Sequence, residues 1–159
     1  MPRIIEMLPP VDGRQSQTAL FVARGTRRLL RSHGYSTVSE LPLLSGRRAD
    51  IVAISSSGCI IIVEVKSSIA DFRADQKWPE YRQHCDQLYF ATSHEVPAEI
   101  FPPDAGLIVA DAYGAMIVRE APEVRLPAST RKALLLRFAC AAADRLHRLS
   151  DPDFTAGLE

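Results

Sequence analysis

Asp50, Glu64 and Lys66 are the residues whose types and spacing could do chemistry together. Glu64 and Lys66 close the stretch "CIIIVEVKSS", two residues apart, at the end of an apolar run. Side chains alternate across a β-strand, so both point to one face, about 6.6 Å apart at ~3.3 Å per residue. Asp50 opens the preceding stretch, "ADIVAI", and the turn "SSSG" (55–58) folds that stretch back against the next. The start of one hairpin strand lies near the end of its partner. Asp50 therefore falls opposite residues 63–65, if the register permits. Two carboxylates in one place make a hard-oxygen site suited to Mg²⁺ or Mn²⁺. A lysine beside them would hydrogen-bond a water or a phosphate oxygen and offset developing negative charge. Such a set serves metal-assisted attack of water on a phosphodiester. The competing arrangement is an exposed patch in which the acids pair with Lys66, Arg47 or Arg48, each pair worth at most ~1 kcal/mol. The strand is too apolar for an exposed edge, however, and buried charges need partners or a metal.

The elements that would hold these residues can be read from periodicity and turn signals. Residues 15–32 carry apolar or small side chains at helical spacing (Ala19, Val22, Ala23, Thr26, Leu29, Leu30) and end at His33-Gly34. Gly25, inside this helix, would allow close packing or close approach of a ligand. Three strands follow, at 35–44, 49–54 and 59–66, joined by short turns that imply antiparallel pairing. Residues 69–84 read as helical, kinked or split by Pro79, with Asp71 and Asp75 near the start where the dipole favours them. Strands at 87–92, 106–110 and 114–119 come next, and a last helix runs from Ala128 to about Leu149. Leu134, Phe138, Ala142, Leu146 and Leu149 form its expected inward stripe. The order α-β-β-β-α-β, with an added β-hairpin and a C-terminal helix, predicts an α/β fold with a mixed sheet flanked by helices. Residues 1–150 are expected to form a single domain, behind an irregular lead-in over 1–13, and 151–159 a frayed tail.

Composition narrows the classes. The 159 residues are 47% hydrophobic and 24% charged, ordinary for a globular protein. No apolar run approaches the roughly 20 residues needed to span a bilayer. The start, "MPRIIEMLPP", lacks the build of a signal peptide, so no membrane association and a cytoplasmic location are expected. Cys59, Cys85 and Cys140 show no CxxC spacing, which argues against zinc, and Cys59 and Cys140 read as core fillers. Net charge is zero, yet Arg14–Arg48 holds seven arginines against Glu40, and Arg125–Arg148 six basic residues against Asp144. Such segregation fits either a nucleic-acid-binding face or solvated helix surfaces.

Asp50, thirteen intervening residues, then Glu64-Val65-Lys66 resembles the signature of the PD-(D/E)XK nuclease superfamily. The longer stretch "SELPLLSGRRADIVAI…VEVKSSIADFRADQKWPEYRQHCDQLYFA" resembles the MmcB family of bacterial DNA-repair endonucleases over residues 39–91. The resemblance implies a restriction-endonuclease-like core and Mg²⁺- or Mn²⁺-dependent hydrolysis of DNA phosphodiesters in repair. It implies Asp50, Glu64 and the Val65 carbonyl as metal ligands, and Lys66 as the group that orients or activates water. Many superfamily members carry an acid on the first helix; residues 15–32 carry none, and Glu40 is the candidate replacement, with an exposed strand acid as the alternative. Arg24, Arg27, Arg28, Arg47 and Arg48 are candidates for gripping the DNA backbone, without sequence specificity. Lys77 could touch a phosphate, and Trp78 and Tyr81 could stack on bases or serve as core aromatics. Branched or damaged DNA is the expected partner, and a homodimer, using an edge at 106–119, would suit it. A second reading keeps the fold as a catalytically silent DNA-binding or partner-recruiting module.

Overall fold

The computed structural model describes residues 16–154. The expected lead-in over 1–13, and residues 155–159 of the expected tail, lie outside that range. The chain runs α1 (Gln17–Ser32), β1 (Ser36–Pro42), β2 (Arg48–Ile54), β3 (Ile60–Val65) and α2 (Ile69–Ala74). A 3₁₀ helix (Trp78–His84), β4 (Gln87–Thr92), a 3₁₀ turn (Ala98–Ile100), β5 (Gly106–Ala110), β6 (Ala115–Arg119) and α3 (Ala128–Ser150) complete it. The six strands form one mixed sheet in sequence order, antiparallel at β1–β2, β2–β3 and β5–β6 and parallel at β3–β4 and β4–β5. The predicted α/β architecture, a mixed sheet between helices, is therefore the observed one.

Alternation along β3 decides what each face buries. Ile61, Val63 and Val65 pack with Ala19, Val22 and Leu30 of α1. Ile60 and Ile62 pack with Tyr81, Leu88, Leu134 and Phe138, under the 3₁₀ helix and α3. Ser16 caps α1 by accepting from the Ala19 amide at 3.1 Å. Pro79 sits at the start of the 3₁₀ helix, so the predicted helical stretch is split into two pieces with Asp75–Lys77 between them.

Three sequence expectations need correction. Asp75 does not sit in the first turn of α2; it is the residue that ends it. The inward stripe of α3 stops early: Leu134, Phe138 and Ala141 are buried, whereas Leu146 and Leu149 are 67% and 82% exposed. Helical spacing gives the phase of a stripe but not how far the sheet extends beneath it. Cys140 is exposed on α3 rather than a core filler, while Cys85 is buried.

Asp86 ties the two layers together. Its carboxylate accepts from the Ile60 amide (2.7 Å) and the Leu126 amide (2.9 Å), and takes a two-pronged contact from Arg131 (2.6 Å each). Burial works against its charge, but these donors prevail and hold its pKa down to about 2. The start of β3, the 126 loop and α3 are thereby pinned at the sheet end away from Asp50 and Glu64.

Gly25 packs rather than approaching a ligand. A Cβ there would run into the carbonyl oxygens of Asp111 and Gly114, in the turn between β5 and β6. Backbone cannot yield as a flexible side chain can, so Gly25→Ala is expected to destabilise the protein by about 1–3 kcal/mol or more. Chemical denaturation of the two proteins checks this; equal midpoints would refute the close packing.

Candidate functional site

The hairpin register brings the two acids together. Ile51 pairs with Val63, so Asp50 lies directly across from Glu64, one step beyond the last paired residues. Both lie at the end where β3, β4 and β5 finish, the end at which open α/β sheets commonly bind ligands. Their side chains lock each other's backbone. Asp50 Oδ2 accepts from the Val65 amide at 2.8 Å, and Glu64 Oε1 accepts from the Asp50 amide at 3.2 Å. On the other side of Asp50, β1 is distorted at Glu40, a non-glycine residue in the left-handed region (φ 51°). The Ser39–Ile51 and Leu41–Ala49 pairs form, but no Glu40–Asp50 pair lies between them. Such backbone outliers cost roughly 1–3 kcal/mol and gather at functional sites.

Burial and mutual repulsion set the charge of the pair. Glu64 is only 3% exposed. Burial, and then the neighbouring Asp50 charge, push its carboxyl well above the usual carboxylate range. Burial also raises Asp50, to a smaller net extent because the Val65 amide and Lys66 favour its charge. Each carboxyl bears on the charge of the other.

Lys66 continues the charged end of β3 and is 6% exposed. Its ammonium contacts Asp75 Oδ2 at 2.7 Å. Burial opposes the charge, but the Asp75 contact outweighs it, and the net effect raises the lysine pKa and lowers that of Asp75. The Lys66 backbone is fixed as well: its amide donates to Ala91 at 2.9 Å, and its carbonyl accepts from the Thr92 hydroxyl at 2.7 Å. Asp75 is the site residue the sequence reading missed. The signal was present, because a buried lysine requires a carboxylate partner. The split imposed by Pro79 places the intervening acid over the end of β3. Asp71 does lie in the first turn of α2, where it accepts from the Ser67 amide at 3.0 Å.

The other nominated residues separate into two groups. Arg47, Arg48 and Lys77 lie close in sequence to this end of the sheet; Arg48 and Lys77 are exposed, and Arg47 contacts Glu80 at 2.9 Å. Arg24, Arg27 and Arg28 ride on α1, which packs on the sheet face opposite Glu64. Arg27 donates to the Thr37 hydroxyl and Arg28 to the Tyr113 carbonyl. The structure thus does not gather the α1 arginines around the carboxylates. The base-stacking assignment also needs correction. Tyr81 is buried and donates its hydroxyl to the Arg48 carbonyl at 2.9 Å. Trp78 is half-buried, edge-on to Phe90 at 5.2 Å, with the Arg82 guanidinium over its ring at 5.4 Å. Both belong to the packing beneath the site. Glu40 is half-buried; its carbonyl accepts from Arg145 at 2.9 Å, and its charge acts on that arginine.

A family model described as "DNA repair protein MmcB-like" matches residues 6–153. The chain belongs to the MmcB-like family. That membership places it among DNA repair proteins. A solved structure titled "SPO1766 protein of unknown function from Silicibacter pomeroyi" is 44% identical, with a TM-score of 0.86. The match covers 91% of the MmcB-like chain and 99% of the other. No curated protein matches. Among the described residues, no helix is long and apolar enough to cross a membrane. No three His, Cys, Asp or Glu side chains among them converge on one point, so the carboxylate part of the site is a pair.

The raised Glu64 pKa has a consequence for stability. A group titrating higher in the folded state stabilises below its unfolded pKa and loses that contribution as pH rises through the folded value. The crowded pair is therefore a liability at neutral pH in the metal-free protein. Glu64→Gln keeps the acceptor for the Asp50 amide and offers Asp50 a donor. It should raise the melting temperature near pH 7 by at least ~2–4 °C, the scale of ~1 kcal/mol in a domain of this size. The gain should shrink as pH falls toward about 4. Calorimetry in chelator across this range checks it; a variant less stable than wild type at neutral pH would contradict the account.

Proposed function

We propose that this MmcB-like protein is a metal-dependent endonuclease that hydrolyses DNA phosphodiester bonds in repair. The observation that carries the reading is the Asp50–Glu64 pair, Glu64 buried and Asp50 half-buried, set opposite in register at the open end of the sheet with a charged lysine beside it. The donor set fits a hard divalent cation. Each carboxylate commits one oxygen to a backbone amide, and two acids set against each other are eased by a positive charge between them. Asp50 and Glu64 would hold Mg²⁺ or Mn²⁺, with the Val65 carbonyl as the third candidate ligand. When bound, the cation would supply Lewis-acid polarisation of the phosphate and a more acidic water.

The chain's own groups do the rest. The Asp75 contact outweighs burial and favours the ammonium form of Lys66. Lys66 serves as a fixed positive donor, able to orient a water or a phosphate oxygen and to offset charge as it develops. Asp75 is a positioning residue that acts through Lys66. The reciprocal bonds across the hairpin hold the two carboxylates in place before substrate arrives, so no reorganisation is needed as charge builds.

Salt-sensitive DNA binding without cleavage would instead favour the silent binding module. The test is incubation of plasmid, branched and single-stranded DNA with Mg²⁺, Mn²⁺ or chelator. Wild type should cut with metal only, and Glu64→Ala and Lys66→Ala should lose on the order of 10²-fold or more in rate. Asp75→Asn should lower kcat with little change in KM, and Asp75→Glu should restore part of it. Cleavage that persists in Glu64→Ala would sink the reading.

A further inference from the structure

The outer edge of the sheet carries a row of guanidinium groups that neither α1 nor α3 presents alone. β1 is an edge strand, and unpaired edge carbonyls are commonly capped to block unwanted strand pairing. Here two arginines of α3 donate to carbonyls of β1, and one of α1 donates to a side chain on it. Arg27 of α1 donates to the Thr37 hydroxyl. Arg145 of α3 donates to the Ser39 and Glu40 carbonyls, and Arg137, two turns earlier on α3, donates to the Pro42 carbonyl. Arg48, paired across from Pro42, adds a fourth. From Thr37 to Pro42 the row spans about 17 Å at ~3.3 Å per residue. It runs past Glu40, and hence past Asp50 on the neighbouring strand.

Capping an edge needs donors, not a concentration of like charge. The Arg145 pKa is lowered chiefly by burial; the Glu40 charge opposes that, and the Arg27 and Arg48 charges add to it more weakly. The positive charge gathered along this edge suits a polyanion laid on it. Duplex DNA carries one phosphate per 3.4 Å on each strand, so a 17 Å row is about five phosphates long.

We propose that Arg27, Arg48, Arg137 and Arg145 along β1 form the track for the DNA backbone, leading one strand to Asp50 and Glu64. This rests on the nuclease reading and adds the surface that reading leaves open. It moves the grip from the α1 arginines as a group to the β1 edge, and draws on α3, whose basic residues the sequence marked only as a charge excess.

The experiment is anisotropy of labelled duplex DNA in chelator over a salt series, which needs no cleavage. Arg27→Ala/Arg48→Ala removes two exposed side chains and should leave the fold intact. It should bind about tenfold more weakly at low salt and flatten the log–log salt slope by about 2. Arg145→Gln should flatten it by about 1. Lys132→Ala, exposed next to Arg131 at the Asp86 end of the sheet, should bind as wild type does. Wild-type affinity and slope in the double variant would overturn the track while leaving the nuclease reading in place. A wild-type protein that neither binds nor cuts DNA would overturn both.

Discussion

Two carboxyl groups withdrawn from water and set against each other must be restrained by something, and in this protein the restraint is the hairpin itself. Asp50 takes the Val65 amide, and Glu64 takes the Asp50 amide. Neither contact survives a register slip, because a one-residue shift would send every side chain of β3 to the other face. The apolar run Ile60–Val63 prevents that slip by burying both faces of the strand. Hydrophobic burial therefore meets the cost of assembling two like charges, a cost that the proposed cation would lower.

The surrounding elements can be understood as consequences of this arrangement. Lys66 follows on the same face and would be a buried lone cation without Asp75. Asp75 is available because α2 ends after six residues and the Pro79 break turns the chain over the strand ends. Trp78 and Tyr81 then fill the space beneath, Tyr81 with its hydroxyl on the Arg48 carbonyl, two residues from Asp50. At the far end, Asp86 and Arg131 anchor β3 to α3. On the flank, the left-handed Glu40 breaks the β1–β2 ladder beside Asp50.

How much of this was legible in the sequence depended on the range of the interaction. Strand alternation and one short turn sufficed to place Asp50 opposite residues 63–65, because both facts are local; the register then fixes Glu64. The split at Pro79 was legible for the same reason. The Asp86–Arg131 contact was not legible, because the partners lie 45 residues apart and no periodicity links them. Asp75 was visible as an acid yet misplaced, since its role depends on where a broken helix turns. Tyr81 and Trp78 show the converse: an aromatic near a site reads as a stacking surface until burial is known. The α1 arginines looked like a group because they share a helix, whereas the cluster that forms draws on α1, β2 and α3.

The central claim is that Asp50 and Glu64 form one divalent-cation site. Calorimetric titration of Mn²⁺ into the metal-free protein tests it most directly. Wild type should bind a cation, and Glu64→Gln and Asp50→Asn should each abolish or greatly weaken that binding while remaining folded. No heat with wild type, or equal affinity in both variants, would contradict it.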